Sequence, residues 1–279
     1  MTPAGPIFVI ELFPETDRRL VELLGSLAAD DWLKPAAGPS WQVRDVAAHL
    51  LDGNLRRLSL GRDALDPPQP AEPIREYSDL VDYLNDLNAQ WVTAARRLSP
   101  RVLMDLLEST GRQVYEFFSS LDPFDDAMFP VAWAGDVTSP IWFDIARELT
   151  EKWHHQQQIR DAVGAPPLTD KEHLFPVLDT FLRGLPHAYR DVDAREGTMV
   201  GVRILGPAGG DWALVAHGDC WTLYEGSPEN ASATIEIDQN DAWRLFTKGL
   251  TPDEARPRAS IAGELGLAEP LFGLVSIMG

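Results

Sequence analysis

The chain is poor in cysteine, lacks any long apolar run, and is short of basic charge. Cys220 is the one cysteine among 279 residues, which excludes an intramolecular disulfide and a cysteine-rich metal centre and suits a reducing compartment. No apolar stretch approaches the roughly 20 residues that span a bilayer. The opening residues Met1-Thr2-Pro3-Ala4-Gly5-Pro6 have neither the basic region nor the apolar core of a secretion signal. These absences predict a cytoplasmic protein with no membrane partner. Lys and Arg number 24 against 43 Asp and Glu, a net charge of −19 with a pI near 4.6. Such a surface repels phosphate backbones, so no nucleic acid partner is expected. Internal repeats and low-complexity tracts are also lacking.

What is present fits a folded protein of two domains. Hydrophobic residues make up 44% and charged residues 24% of the chain, an ordinary globular balance, and the length is comfortable for two cores. Apolar spacing of 3.6 predicts helices over about 14–29, 43–60, 78–98, 100–121, 140–164 and 171–189. Ser40 is the expected N-cap of the second helix, and Thr169-Asp170 caps the last. A short apolar run, 7–13, reads as an N-terminal arm. Four prolines within 66–73 remove donors and fix φ, so that stretch is a loop. From Met199 the period changes to alternation, with strands near 200–204, 212–216, 221–224 and 233–237, a helix opening at Asp241, a strand or turn at 259–263 and a closing helix from Glu264. The fold class is therefore multidomain: a helical bundle over 1–192, then a small α+β domain over 199–279.

The most informative stretch is Glu151-Lys152-Trp153-His154-His155-Gln156-Gln157-Gln158. Residues four apart share a helix face, so Glu151 and His155 can hold one ion together. His49, on the second helix among the apolar residues Val46, Ala47, Ala48, Leu50 and Leu51, is the best third ligand. Two histidines and one carboxylate with an open fourth position make a catalytic rather than a structural zinc site. Spacing alone leaves a solvated polar face as the alternative. The stripe Asp144, Glu148, Glu151, His155, Gln158 lies nearly opposite the apolar stripe Trp142, Ile145, Leu149, Trp153, and meets either water or a polar cleft.

The run Trp41-Gln42-Val43-Arg44-Asp45-Val46-Ala47-Ala48-His49-Leu50 and the segment from Glu148 to Gly164 resemble the two metal-binding signatures of the DinB-like superfamily, in its mycothiol-dependent maleylpyruvate isomerase branch. A loop similar to that branch's Pro-x-Trp-x-Gly, with one further residue between Pro and Trp, is present as Pro130-Val131-Ala132-Trp133-Ala134-Gly135. The resemblance covers nearly the whole chain. It implies an N-terminal DinB-like four-helix bundle, a sterol-carrier-protein-like C-terminal domain, and a metal site of His49, Glu151 and His155. It also implies a divalent metal, most simply Zn2+, that activates an external small thiol such as mycothiol. The thiol adds to a small electrophilic or unsaturated acid, giving cis–trans isomerisation or, if the reaction stops at addition, S-transfer. The branch often has Asp three places after the second histidine, where this chain has Gln158, as in the wider superfamily.

Other residues carry two readings each. Asp45 either accepts the free ring N–H of His49 or is an exposed helix-start acid. His154 faces solvent or supports a ligand. Gln158 and Trp133 are candidates to line the site, against a surface glutamine and a core tryptophan. Arg147, Arg203 and Arg244 are candidate anion clamps or surface charges. His173, His187 and His217 read as structural, and Cys220 as a buried hydrophobe. The competing function is a non-catalytic metal- or small-ligand-binding protein that keeps the fold, as a monomer or homodimer.

Overall fold

In the computed structural model, which describes residues 1–37, 41–70 and 73–277, the leucine spacing after Pro14 becomes helix α1, Phe13–Gly25, with proline in its first turn and Leu20, Leu23 and Leu24 buried. Strands β2, Pro35–Ala37, and β3, Trp41–Gln42, form a short antiparallel ladder leading into α2, Val43–Arg56. Asp45 starts that helix by accepting the Gln42 N–H at 3.1 Å. The expected cap, Ser40, lies outside the described residues. Where the spacing predicts helix to residue 60, the chain instead widens into a π-helical turn, Arg57–Arg62. Helices α3, Tyr77–Ala95, α4, Pro100–Ser119, and α5, Ile141–Val163, follow. Leu24, Val43, Val46, Leu51 and Ile159 lie at the centre of the helical core.

Helix α5 is buried on more than its apolar stripe. Leu149 and Trp153 are buried, and so are Glu148, Lys152 and Gln156. Buried charges persist only when paired, and these are. Glu148 Oε2 accepts from Arg57 Nε at 2.8 Å; Lys152 Nζ donates to Asp17 Oδ1 and Asn54 Oδ1, both at 2.8 Å; and Asn54 donates to Thr110 Oγ1 at 3.0 Å. At Glu148 the polar stripe thus meets a cation from α2's extension rather than water.

The sheet has strand order β1-β6-β5-β4-β7-β8: β1, Thr2–Pro3; β4, Met199–Leu205; β5, Gly210–His217; β6, Cys220–Glu225; β7, Ala233–Asp238; and β8, Ser260–Gly263. All neighbours are antiparallel except β4 and β7, where Val202 stands beside Ile235 and opposite Trp212 of β5. The N-terminal piece on the sheet is Thr2–Pro3, paired with Tyr224 and Glu225, whereas Ile10–Leu12 in the expected arm is a single 3-10 turn. Helix α6, Lys171–Leu182, and α7, Leu185–Ala188, replace the single expected helix 171–189. Pro186 cannot donate to the Leu182 carbonyl and its ring crowds that position, so the helix breaks there. At the break, a Cβ on Gly184 would lie 2.9 Å from Leu274 and 3.1 Å from Trp133. Helices α8, Gln239–Phe246, α9, Pro252–Ala255, and α10, Leu265–Phe272, complete the chain.

Two compact units interleave along the sequence: Phe8–Met128 with Glu148–Leu168, and Met1–Ile7 with Phe129–Arg147 and Thr169–Met278. Among the described residues no helix is long and apolar enough to cross a membrane.

In the sheet unit the buried Tyr189 hydroxyl donates to the Leu267 carbonyl at 2.7 Å, and burial raises its pKa above the ordinary value of 10.0. The unfolded chain therefore loses this proton first as pH rises, and stability that is complete below pH 10 declines above it. Chemical denaturation between pH 9 and 11 is expected to show this decline, up to about 1.4 kcal/mol per pH unit, and Tyr189→Phe is expected to flatten it.

Candidate metal centre

Helix α2 presents His49, and one turn of α5 presents Glu151 and His155. The i,i+4 spacing sets His155 Nε2 3.3 Å from Glu151 Oε2. The His49 ring meets His155 edge-on at 4.7 Å between centroids. One potential ligand atom from each of the three lies within 4.8 Å of the others; two bonds of about 2.0–2.2 Å meet across about 3.5 Å at a tetrahedral ion, so an ion has to draw in any pair that stands at the full separation.

The orientation of each ring follows from its neighbours. Gln158 Oε1 lies 2.8 Å from His155 Nδ1. An amide oxygen only accepts, so Nδ1 carries a proton toward it, and Nε2 is the ring atom turned toward Glu151. His49 Nδ1 is buried without a hydrogen-bond partner among the described residues. Burial foremost, then the nearby His155, depresses the His49 pKa to about 3 against the opposing pull of Glu151. His49 is therefore neutral, as a metal-binding imidazole must be. The Trp41 ring packs on it at 5.2 Å. Two half-buried imidazoles, one of them with an unpartnered buried nitrogen, and a half-buried carboxylate suit a divalent cation.

His154 does not face solvent. It is buried, its ring 5.3 Å from that of His155, and burial likewise lowers its pKa to about 3. Asp45 is neither a partner of His49 nor exposed. Its buried carboxylate takes Arg96 Nε at 3.0 Å and Nη2 at 2.9 Å; burial would raise its pKa, but Arg96 and the Gln42 N–H outweigh it and hold it below the usual value. Gln158, a candidate site-lining residue, stands beside the cluster through its contact with His155 Nδ1. Trp133 is a core residue of the other unit, packed on Phe143 at 5.8 Å. Arg147 pairs with Asp144, Arg203 bridges Asp211 and Glu236, and Arg244 stacks on Trp243 at 4.1 Å, so each has a structural partner. His173 is held by Asp170 at 2.7 Å, His217 lies between Glu196 and Tyr224, and His187 backs the αL turn at Gly135, where no Cβ would fit. Cys220 is exposed, not buried, because it opens its strand rather than standing inside it.

Sequence reading missed Trp41 as a wall of the site and Arg57 as the partner of Glu148. Trp41 opens the segment that contains His49, and nothing in its spacing sets it apart from a core tryptophan; Arg57 carries no local signal.

A model described as the mycothiol maleylpyruvate isomerase N-terminal domain matches residues 13–160, more than half of the chain. The chain belongs to this family. The stretch shared with the mycothiol maleylpyruvate isomerase N-terminal domain family contains His49, Glu151, His155 and Gln158 together. Two crystal structures of the mycothiol-dependent maleylpyruvate isomerase share the fold, mixed helices with a sheet. For a mutant form the TM-score is 0.53 at 12% identity, covering 91% of this chain and 92% of the other. For the second the TM-score is 0.51 at 13% identity, covering 85% and 86%. No protein of curated function matches the sequence.

Proposed function

We propose that the protein is a metal-dependent, low-molecular-weight-thiol-dependent isomerase or S-transferase of the maleylpyruvate isomerase type, with His49, Glu151 and His155 holding a zinc ion and mycothiol as the thiol. The observation that carries this is the convergence of those three side chains within 4.8 Å from two helices. A bound divalent ion supplies an electrostatic field that favours the thiolate of an incoming thiol at neutral pH. The chain's residues do the rest. Burial keeps His49 neutral, Glu151 lends the negative charge that offsets part of the ion's, and Gln158 locks the His155 tautomer. Trp41 covers one side of His49 and keeps water from it. The substrate in this reading is a small electrophilic or unsaturated acid, and the protein works in the cytoplasm. The division into modules 1–192 and 199–279 belongs to the same proposal as a division of the sequence, supported by a family match that ends inside the first; the compact units themselves interleave across it.

The test is elemental analysis of the purified, untagged protein beside His49→Ala, followed by assay with mycothiol and maleylpyruvate. The expected result is about one zinc per chain, lost in the variant, with isomerisation dependent on the thiol. No metal uptake by either protein, even after incubation with zinc, would overturn the reading.

Gln158→Ala provides a finer check. Removing the acceptor of His155 Nδ1 is expected to weaken zinc affinity about 10–100-fold, measured by competition with a chromophoric chelator. Unchanged affinity would mean that Gln158 does not orient the ring.

A further inference from the structure

The helical unit holds a cavity of about 190 Å³ away from the three-residue cluster, where α2, α3 and the start of α4 meet the turn at Asp31–Leu33. Its apolar wall includes Trp32, Ala48, Val92, Ala95 and Leu103, all buried. Its rim is different. Arg44 and Arg96 both reach the cavity, with the buried Asp45 between them.

The charges at this rim do not cancel. Asp45 is bound through both its oxygens by Arg96, while Arg44 Nε stands 3.9 Å from it, beyond hydrogen-bond range. That Nε is itself buried and without a hydrogen-bond partner among the described residues. Two guanidinium groups and one carboxylate leave one net positive charge, with an unsatisfied buried donor, at the edge of an apolar space. Buried donors are normally satisfied, and an Arg fork matches a carboxylate. The size sets the rest of the ligand, since an apolar cavity of about 150 Å³ accepts benzene.

We propose that this cavity binds a small amphiphilic monoanion, an apolar body of about one ring bearing one carboxylate that pairs with Arg44. A second anionic group would have no counter-charge, and a cation would meet the two arginines. The site uses none of the metal-cluster side chains and stands or falls independently of the proposed chemistry.

Benzoate is the probe, with benzyl alcohol as its neutral counterpart. Titration into the isotope-labelled full-length protein, followed by amide chemical shifts, is expected to show saturable changes at Ala48, Val92, Ala95 and Leu103. For a ligand of this size the dissociation constant should be about 10 mM or tighter. Benzyl alcohol should bind at least about tenfold more weakly, and Arg44→Gln should weaken benzoate by a similar factor. Ala95→Leu, which fills the space, should abolish the changes while leaving the rest of the spectrum in place. Lack of saturation, equal binding of the alcohol, or benzoate shifts that survive Ala95→Leu would each overturn the proposal. If Ala95→Leu fails to fold, Arg44→Gln alone decides it, and benzoate affinity unchanged in that variant rejects the site.

Discussion

Glu148→Ala is expected to destabilise the protein by about 1.5–3 kcal/mol, because it takes a charge-assisted hydrogen bond from the buried Arg57 guanidinium. The two side chains are about one-tenth exposed or less, and Arg57 Nε meets Glu148 Oε2 at 2.8 Å. Truncation therefore removes one partner of Arg57 at a place with little access for water. The same principle gives an opposite result for the pair. Replacing both partners by apolar residues of similar length, Arg57→Met with Glu148→Leu, should recover most of the loss, since the desolvation cost of two charges is removed along with their attraction. Arg57 also lies over the Phe118 ring at 5.6 Å, a contact that a methionine can keep in part. Urea denaturation of the single and double variants measures the difference. A single variant within about 1 kcal/mol of the parent would show that Arg57 finds water after all.

His155→Ala and His49→Ala are expected to lose zinc, whereas His154→Ala should keep most of it. If an apparent binding free energy of about 10–16 kcal/mol is spread over four coordination positions, one missing ligand costs about 2.5–4 kcal/mol. That is a weakening of about a hundredfold to a thousandfold. Because His154 is 5% exposed, its truncation should instead appear as lower thermal stability, through the cavity left behind. Chelator competition and thermal denaturation on the same three variants separate the two effects. Equal zinc loss in all three would mean that the ligands are wrongly assigned.

The convergence of His49, Glu151 and His155 was legible because both of its signals are local. Glu151 and His155 are one helical turn apart, and His49 sits in a run whose residues resemble a known signature. The partners of the surrounding charges were not legible, since no local pattern joins Arg57 to Glu148, Asp45 to Arg96, or Lys152 to Asp17. Tertiary packing chose them. That is why Asp45, a plausible support for His49 by spacing, turned to an arginine on α3's C-terminal side. In the sheet, alternation found the strands but not their order. The parallel neighbours β4 and β7 are separated in sequence by two strands, and β1 has only two residues, too few to carry a period. The break between α6 and α7 was written in Pro186 and could have been read there.

The pairing of Thr2 with Glu225 and Pro3 with Tyr224 also orders events during synthesis. Made among the first residues of this sequence, the segment has no sheet to join until the ribosome has added more than two hundred others. At about 5–20 residues per second it waits some tens of seconds, during which most of the helical unit has already emerged. The edge of β6 is correspondingly bare when it first forms, open to pairing with a second nascent chain. Pairing of the waiting N-terminal segment with the Tyr224–Glu225 end of that edge is thus a late, chain-internal competition against aggregation.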